Sequence, residues 1–174
     1  NMNDLSVVSA IGRPGPLNKG MDDLYAKRKK GELPAEPIHE SISAILAPTY
    51  QTLIYQEQVM KIAEVFAGFS KVDADVLRKS MGKKKRELVL KMKEQFLSGA
   101  KALGRPDEIA EKLFTIIEEF SEYAFNMSHS LAYSLISYWT MWLKVHHPHE
   151  FMCSALNVFS DHEEDVEKYI RECR

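Results

Sequence analysis

Apolar residues recur every three or four positions over several long stretches of this chain. Between residues 84 and 103 the recurring positions are Leu88 or Val89, Met92, Phe96, Ala100 and Leu103. This spacing places them on one face of an α-helix, and no segment shows the two-residue alternation that would build a sheet. The sequence therefore predicts an all-α protein with an irregular multi-helix architecture.

Glycine and proline residues divide the 174-residue chain into about seven to eight predicted helices. The longest are predicted at residues 56–67, 84–103, 106–120 and 128–147, and shorter candidates are predicted at 21–30, 39–46, 73–81 and 148–159. Asp73 and Ser128 are the predicted N-caps of two of them. The helix after Ser128 is apolar on nearly every side, which predicts that it is the buried centre of the fold.

The termini predict that the chain is an excerpt from something longer. Residues 1–20 show little periodicity and are expected to form an extended entry, and residues 160–174 are expected to form an exit helix. The length of 174 residues suits one domain. We therefore expect residues 1–174 to form a single helical unit.

Composition excludes several classes of protein. The chain has 23 Lys and Arg against 25 Asp and Glu, giving a net charge of -2, and 45% of its residues are hydrophobic. It has no apolar run of transmembrane length and no secretory leader pattern at its start. Cys153 and Cys173 lack metal-ligand spacing, which favours a reducing compartment. We expect a cytoplasmic protein that does not bind membranes.

Basic residues are concentrated at one place. Residues 77–86 read Leu-Arg-Lys-Ser-Met-Gly-Lys-Lys-Lys-Arg, with six positive charges and no negative one. A compact cationic segment suits phosphate groups of a nucleotide or a nucleic acid, although a solvated helix face would have the same composition. The glycine-lysine spacing of a P-loop is missing.

A second segment combines a helix start with two rings. Residues 125–133 read Phe-Asn-Met-Ser-His-Ser-Leu-Ala-Tyr. Tyr133 follows His129 by four residues, so both rings share one helix face. Ser128 and His129 at a helix N-terminus could bind phosphate, and Tyr133 could stack under a base. The alternative is a capped helix with a satisfied histidine and a core tyrosine.

The remaining polar groups do not indicate a catalytic or metal-binding site. Asp73 and Asp75 lie about 200° apart on a helix, so N-capping and helix-dipole effects explain them better than a two-metal site does. The three histidines within 146–149 are interrupted by a proline and do not match a zinc site. Glu57 is an isolated carboxylate at a helix start. We predict no catalytic residue and no metal ligand in this chain.

Six short sequence motifs, taken in this order, resemble the fingers region of bacterial replicative DNA polymerases of the C family, the polymerase III alpha subunits. They are Arg-Pro-Gly-Pro-Leu at 13–17, Thr-Tyr at 49–50 with Tyr-Gln-Glu-Gln-Val-Met at 55–60, Ala-Asp-x-Leu-Arg at 74–78, Met-Gly-Lys-Lys at 81–84, Phe-Asn and Ser-His-Ser between 125 and 130, and Trp-Leu-Lys at 142–144. The resemblance covers residues 4 to about 160.

The resemblance implies template-directed nucleotidyl transfer, with dNTP as substrate and primer-template DNA as partner. Mg²⁺ would be bound by aspartates of the palm, a part of the polymerase chain that is not included here, so this chain alone is expected to be inactive. Replisome subunits such as the sliding clamp would bind through the full-length protein. The fold expected from the resemblance is a helical fingers domain.

The resemblance also assigns residues. Arg78, Lys79, Lys83 and Lys84 would meet the phosphates of the nucleotide, together with Ser128 and His129, and Tyr133 would pack near the base or sugar. Arg13, Lys85 and Arg86 would contact nucleic acid.

The sequence departs from the family pattern at residues 51, 79, 80, 124 and 127, where the family usually has Gly, Arg, Ala, Gly and Lys. Met127 removes one cation from the predicted site, and Lys79 cannot make the two-pronged phosphate contact of an arginine. Two alternatives therefore stay open. One is a catalytically degenerate polymerase-like module that binds DNA, and the other is a helical protein-interaction domain.

Overall fold

The computed structural model describes residues 1–82, 86–121 and 123–173, without the side chains of residues 81, 82 and 86. Within these ranges it contains eleven α-helices, more than the seven to eight predicted, and no strand, which confirms the all-α fold. The helices are α1 (Met2–Ile11), α2 (Pro14–Asn18), α3 (Met21–Lys30), α4 (Glu40–Leu46), α5 (Gln56–Ala67), α6 (Lys71–Gly82), α7 (Arg86–Ala102), α8 (Asp107–Phe120), α9 (Met127–His146), α10 (Pro148–Val158) and α11 (Glu163–Glu172). No helix in the described part of the chain is both long and apolar enough to cross a membrane.

The expected extended entry at residues 1–20 is wrong, because α1 and α2 occupy it. The Asn1 side chain accepts a hydrogen bond from the Asp4 amide, and the Asp4 carboxylate bonds the Asn1 backbone in return. Val7, Ala10 and Ile11 then form a short buried face. That face spans little more than one turn, which is why its periodicity is weak in the sequence.

The core consists of two hydrophobic clusters. The larger one is built by α4 to α8 around Phe96, whose ring lies 5.8 Å from that of Phe66 and 5.5 Å from that of Phe114. The smaller one joins α1 and α3 to the segment around Ile54 and Tyr55. The helices of the larger cluster are the ones whose sequences show long three- and four-residue spacing.

Two predicted N-caps are displaced. Ser70, not Asp73, caps α6: its hydroxyl accepts from the Asp73 amide at 3.1 Å and donates to the Asp73 carboxylate at 2.6 Å. Asn126, not Ser128, caps α9, because its side chain accepts from the His129 amide at 2.8 Å. In both cases an alternative capping residue stands two or three positions upstream.

The turn before α5 contains two consecutive residues in the left-handed region. Tyr50 has φ 50° and Gln51 has φ 57°. This left-handed conformation is the one that glycine adopts most readily. Here the Gln51 amide group donates to the Ser43 carbonyl at 3.0 Å, a bond that glycine could not make.

The expected burial of α9 is wrong. Its buried residues are Ser130 and Ser134, which face α1, while Trp139 is 55% exposed and Trp142 is 44% exposed. Apart from α1, only α10 packs extensively on it within the described chain. An all-round apolar helix requires neighbours on every side, and the described elements supply them on one side.

Helices α5 and α7 approach each other closely at Gly99. A Cβ atom at this position would lie 2.0 Å from the Ala67 carbonyl oxygen, which is backbone and cannot move aside cheaply. The glycine therefore permits the contact that brings Phe66 and Phe96 together.

We predict that Gly99→Ala destabilises the fold although alanine is the better helix former. The helix-propensity gain is about 1 kcal/mol, and the clash with Ala67 exceeds it, giving a net loss of roughly 1–3 kcal/mol in the free energy of unfolding. Chemical denaturation followed by circular dichroism measures the change. The matched control is Ser98→Ala, an exposed position on the same helix, which should be neutral or slightly stabilising. Equal stability of both variants would contradict the close approach.

Candidate functional site

The beginnings of α5 and α9 are joined directly. Tyr55 and Phe125 form an isolated β-bridge, and the Gln56 amide donates to the Phe125 carbonyl at 2.9 Å. Both carboxylate oxygens of Glu57 accept from the Met127 amide, at 3.1 and 3.0 Å. We call these contacts of residues 55–57 with residues 125–127 the α5–α9 junction. It brings together two segments that are 70 residues apart in the chain.

A buried polar cluster anchors the junction to α1. The Tyr55 hydroxyl lies 2.9 Å from the Ser6 Oγ, and the Ser130 hydroxyl donates to the Ser6 carbonyl at 2.5 Å. Burial raises the pKa of Tyr55, so its hydroxyl is neutral at physiological pH. Hydroxyl pairs of this kind satisfy polar groups that would otherwise be unpaired at a helix–helix contact.

Gln58 supports the same region from within the core. Its side-chain oxygen accepts from the amides of Ile54 and Tyr55 at 2.9 and 3.0 Å, and its amide group donates to Thr49 Oγ1 at 2.8 Å. A single buried side chain therefore fixes the extended segment that leads into α5. Each of the four residues in the motif Tyr-Gln-Glu-Gln at 55–58 thus has a structural role.

Arg78 and Lys79 share one partner near the end of α6. The Arg78 Nε and Nη2 lie 3.0 and 2.7 Å from Asp75 Oδ1, and the Lys79 ammonium lies 2.6 Å from Asp75 Oδ2. Lys79 and Arg78 hold the pKa of the Asp75 carboxyl below its usual range. The Arg78 Nη1 is 3.5 Å from the side-chain oxygen of Gln56. Arg78 therefore reaches the first residue of α5, next to the α5–α9 junction.

Three rings form a column along the start of α9. The His129 ring lies 5.7 Å from that of Phe125 and 4.5 Å from that of Tyr133. Ser128, His129 and Tyr133 are exposed, and Tyr133 is 58% exposed. The predicted alternative of a core tyrosine is therefore wrong. An exposed tyrosine beside a histidine offers a surface on which a base can stack.

The Arg13 guanidinium is half-buried. It donates to the carbonyls of Ala10 and Tyr123 at 2.8 and 2.7 Å, and its carbon lies 4.5 Å from the centre of the Phe125 ring. Burial lowers the pKa of this guanidinium. These contacts show a structural function, since Arg13 holds the chain that enters α9.

The structure brings Arg78 to the junction at which the column of Phe125, His129 and Tyr133 begins. Lys79 is linked to Arg78 through their shared partner Asp75. Lys83, Lys84 and Lys85 lie outside the described residues, as does the side chain of Arg86. The ligand-binding roles of all these residues stay predictions. In the described ranges no group of three or more His, Cys, Asp or Glu side chains is arranged to hold a metal ion.

Sequence reasoning missed Gln56, Glu57 and Gln58 as connecting residues. Lys61 lies one helical turn after Glu57 but pairs with Glu64, and the acceptor role of Glu57 depends on an amide 70 residues away. No local signal could have revealed it.

Comparison with known proteins decides the family. The family model described as the bacterial DNA polymerase III alpha subunit finger domain matches residues 1–104. The chain belongs to this finger-domain family. The match includes α1 to α7, and therefore the junction residues of α5 and the cations of α6.

Similarity to individual relatives extends over α8 to α11 as well. The chain is 46% identical to DNA polymerase III subunit alpha of Aquifex aeolicus over 156 residues, which are 90% of this chain and 13% of that protein. It is 45% identical to the same subunit of Vibrio cholerae over 176 residues and 44% identical to that of Escherichia coli K12 over 175 residues, in each case over 98% of this chain. The chain spans 13–15% of the length of these relatives.

We predict that Asp75→Asn strengthens the binding of dATP by roughly threefold at low salt. The substitution keeps the size of the side chain but removes the negative charge that now pairs with both Lys79 and Arg78. Isothermal titration calorimetry measures the affinity. Glu111→Gln, an exposed charge-matched change on α8, is the control and should leave the affinity unchanged. A weaker affinity in Asp75→Asn than in Glu111→Gln would show that Asp75 serves to orient the cations.

Proposed function

We propose that this finger domain binds the incoming dNTP and the primer-template DNA in a bacterial DNA-directed DNA polymerase. The observation that carries the proposal is the convergence at the α5–α9 junction. A cationic helix end and an exposed column of rings reach it from opposite parts of the chain. The cationic end of α6 attracts phosphates, and a base or sugar can stack on the column of rings.

Each group has a role in this proposal. Arg78 and Lys79 attract the triphosphate and orient it, with Lys83 and Lys84 as further predicted contacts. Ser128 and His129 lie at the opposite side of the phosphates, and Tyr133 packs against the base or sugar. Arg13, Lys85 and Arg86 stay candidates for the DNA backbone, and Arg13 also bonds the chain that enters α9.

The chemical step belongs to the parent polymerase in this proposal. Mg²⁺ held by palm aspartates would activate the primer hydroxyl and stabilise the leaving phosphates. The finger domain contributes binding, orientation and exclusion of water, so the isolated chain is expected to be inactive. We expect the parent polymerase to act in the bacterial cytoplasm with the sliding clamp and other replisome subunits. Palm aspartates in the parent sequence would distinguish an active polymerase from the degenerate, DNA-binding alternative.

We predict that the double variant Arg78→Ala/Lys79→Ala weakens binding of a primer-template duplex with dATP by about tenfold or more, and lowers the steepness of the salt dependence. Two phosphate-neutralising charges are lost. Fluorescence anisotropy with a labelled duplex at several salt concentrations measures both quantities.

The control for this experiment is Lys101→Ala/Lys112→Ala, which removes the same charge from exposed positions on α7 and α8. It should change binding by less than twofold, because those lysines lie away from the junction. If both double variants lose affinity equally, binding reflects only net charge, and the proposed site is wrong.

The outer side of α9 supports a further part of the proposal. Its exposed apolar residues form a patch larger than isolated surface residues would make. They include Leu135, Ile136, Tyr138, Trp139, Met141, Trp142, Leu143 and Val145. Since the chain spans 13–15% of the length of its relatives, we propose that the remaining parent chain covers this patch.

We predict that Trp139, Met141 and Trp142 are oxidised by hydroxyl radicals at least fivefold more slowly in the parent polymerase than in this chain alone. Mass spectrometry reports the rate residue by residue. Repeating the measurement on this chain at rising concentration detects coverage by a second copy. Equal oxidation in the parent and in the dilute chain would contradict the proposed coverage.

A further inference from the structure

Glu57 lies at the N-termini of two helices at once. It is in the first turn of α5, and its carboxylate accepts from the amide of Met127, the first residue of α9. A helix N-terminus carries partial positive charge and unpaired amides, so a carboxylate is favourable at each. One side chain therefore stabilises two helix starts and fixes the distance between them.

The first turn of α9 is thereby largely satisfied from within the protein. Glu57 takes the Met127 amide, and Asn126 takes the His129 amide. An anion that binds near His129 therefore meets a carboxylate at the helix start. The start of α9 is therefore less open to a phosphate than the sequence suggested. We expect Arg78 and Lys79 to provide most of the phosphate contacts.

The neighbour of Glu57 extends the connection to α6. The Gln56 amide donates to the Phe125 carbonyl at 2.9 Å, while its side-chain oxygen lies 3.5 Å from Arg78. Adjacent residues of one helix thus contact both halves of the candidate site. Glu57 acts beside other contacts at the beginning of α9, namely the hydrogen bond of Ser130 to Ser6 and the packing of Arg13 on Phe125.

We propose that Glu57 is a positioning residue for the nucleotide site. Its accepted hydrogen bond holds the His129 and Tyr133 rings at a fixed place relative to Arg78. The identity of the ligand as a nucleoside triphosphate rests on the proposed function. The positioning itself is a property of the free chain and can be measured without a ligand.

The experiment compares Glu57→Ala with Glu57→Gln and the control Glu64→Ala. Glutamine keeps an oxygen that can accept from Met127, whereas alanine removes it. Glu64 is a carboxylate on the same helix that pairs with Lys61, so it tests for general effects on α5. Amide hydrogen exchange at Met127, nuclear Overhauser contacts between the His129 and Tyr133 rings, and dATP affinity are measured on each protein.

We expect Glu57→Ala to accelerate exchange at Met127 by at least tenfold, to weaken the ring contacts and to lower dATP affinity at least fivefold. Glu57→Gln and Glu64→Ala should keep exchange at Met127 and the ring contacts within twofold of the unmodified chain, and neither should lower dATP affinity by more than twofold. If Glu57→Ala does not fold, Glu57→Asp, whose carboxylate is withdrawn by one methylene, should show the same accelerated exchange.

Unchanged exchange and ring contacts in Glu57→Ala, or in Glu57→Asp, would overturn the inference. A glutamine variant as impaired as the alanine variant would overturn it too, because the acceptor would then not be what holds the helix. If the unmodified chain fails to bind dATP, the proposed function fails, while the exchange and ring measurements still decide the role of Glu57.

Discussion

The contact between the start of α5 and the start of α9 is the interaction on which the candidate site depends. A backbone hydrogen bond from Gln56 to Phe125 and the carboxylate of Glu57 on the Met127 amide join segments from distant parts of the chain. Without them, α9 would be attached mainly through the serines that face α1. In addition to those serine contacts, the junction helps to set where the rings of α9 lie relative to Arg78.

The same arrangement explains how α9 is held in place although most of its surface is exposed. Its polar contact side is narrow: Ser130 bonds to α1, and Ser134 is buried beside it. Much of the remaining circumference carries exposed aromatic and aliphatic side chains, and α10 packs against part of it. One end of α9 therefore presents the ring column, and the rest presents an apolar surface that suits the interior of a larger protein.

Long helices were predictable because their buried faces repeat over three or more turns, as in α5, α7 and α8. The first twenty residues were not, because α1 buries a face of little more than one turn. The burial of α9 was misjudged, since apolarity shows what a helix can contact but not which neighbours are present. The sequence pointed to Arg78, His129 and Tyr133 as candidates. It could not place Glu57, whose partner is a distant backbone amide.

The central claim is that the end of α6 and the start of α9 form one site for a nucleoside triphosphate. The most direct measurement is a titration of the isotope-labelled chain with dATP, followed by amide NMR shifts. We predict that resonances of residues 78–82 and 126–133 shift together and give one dissociation constant. Shifts in only one of the two segments, or different dissociation constants for the two, would contradict the claim.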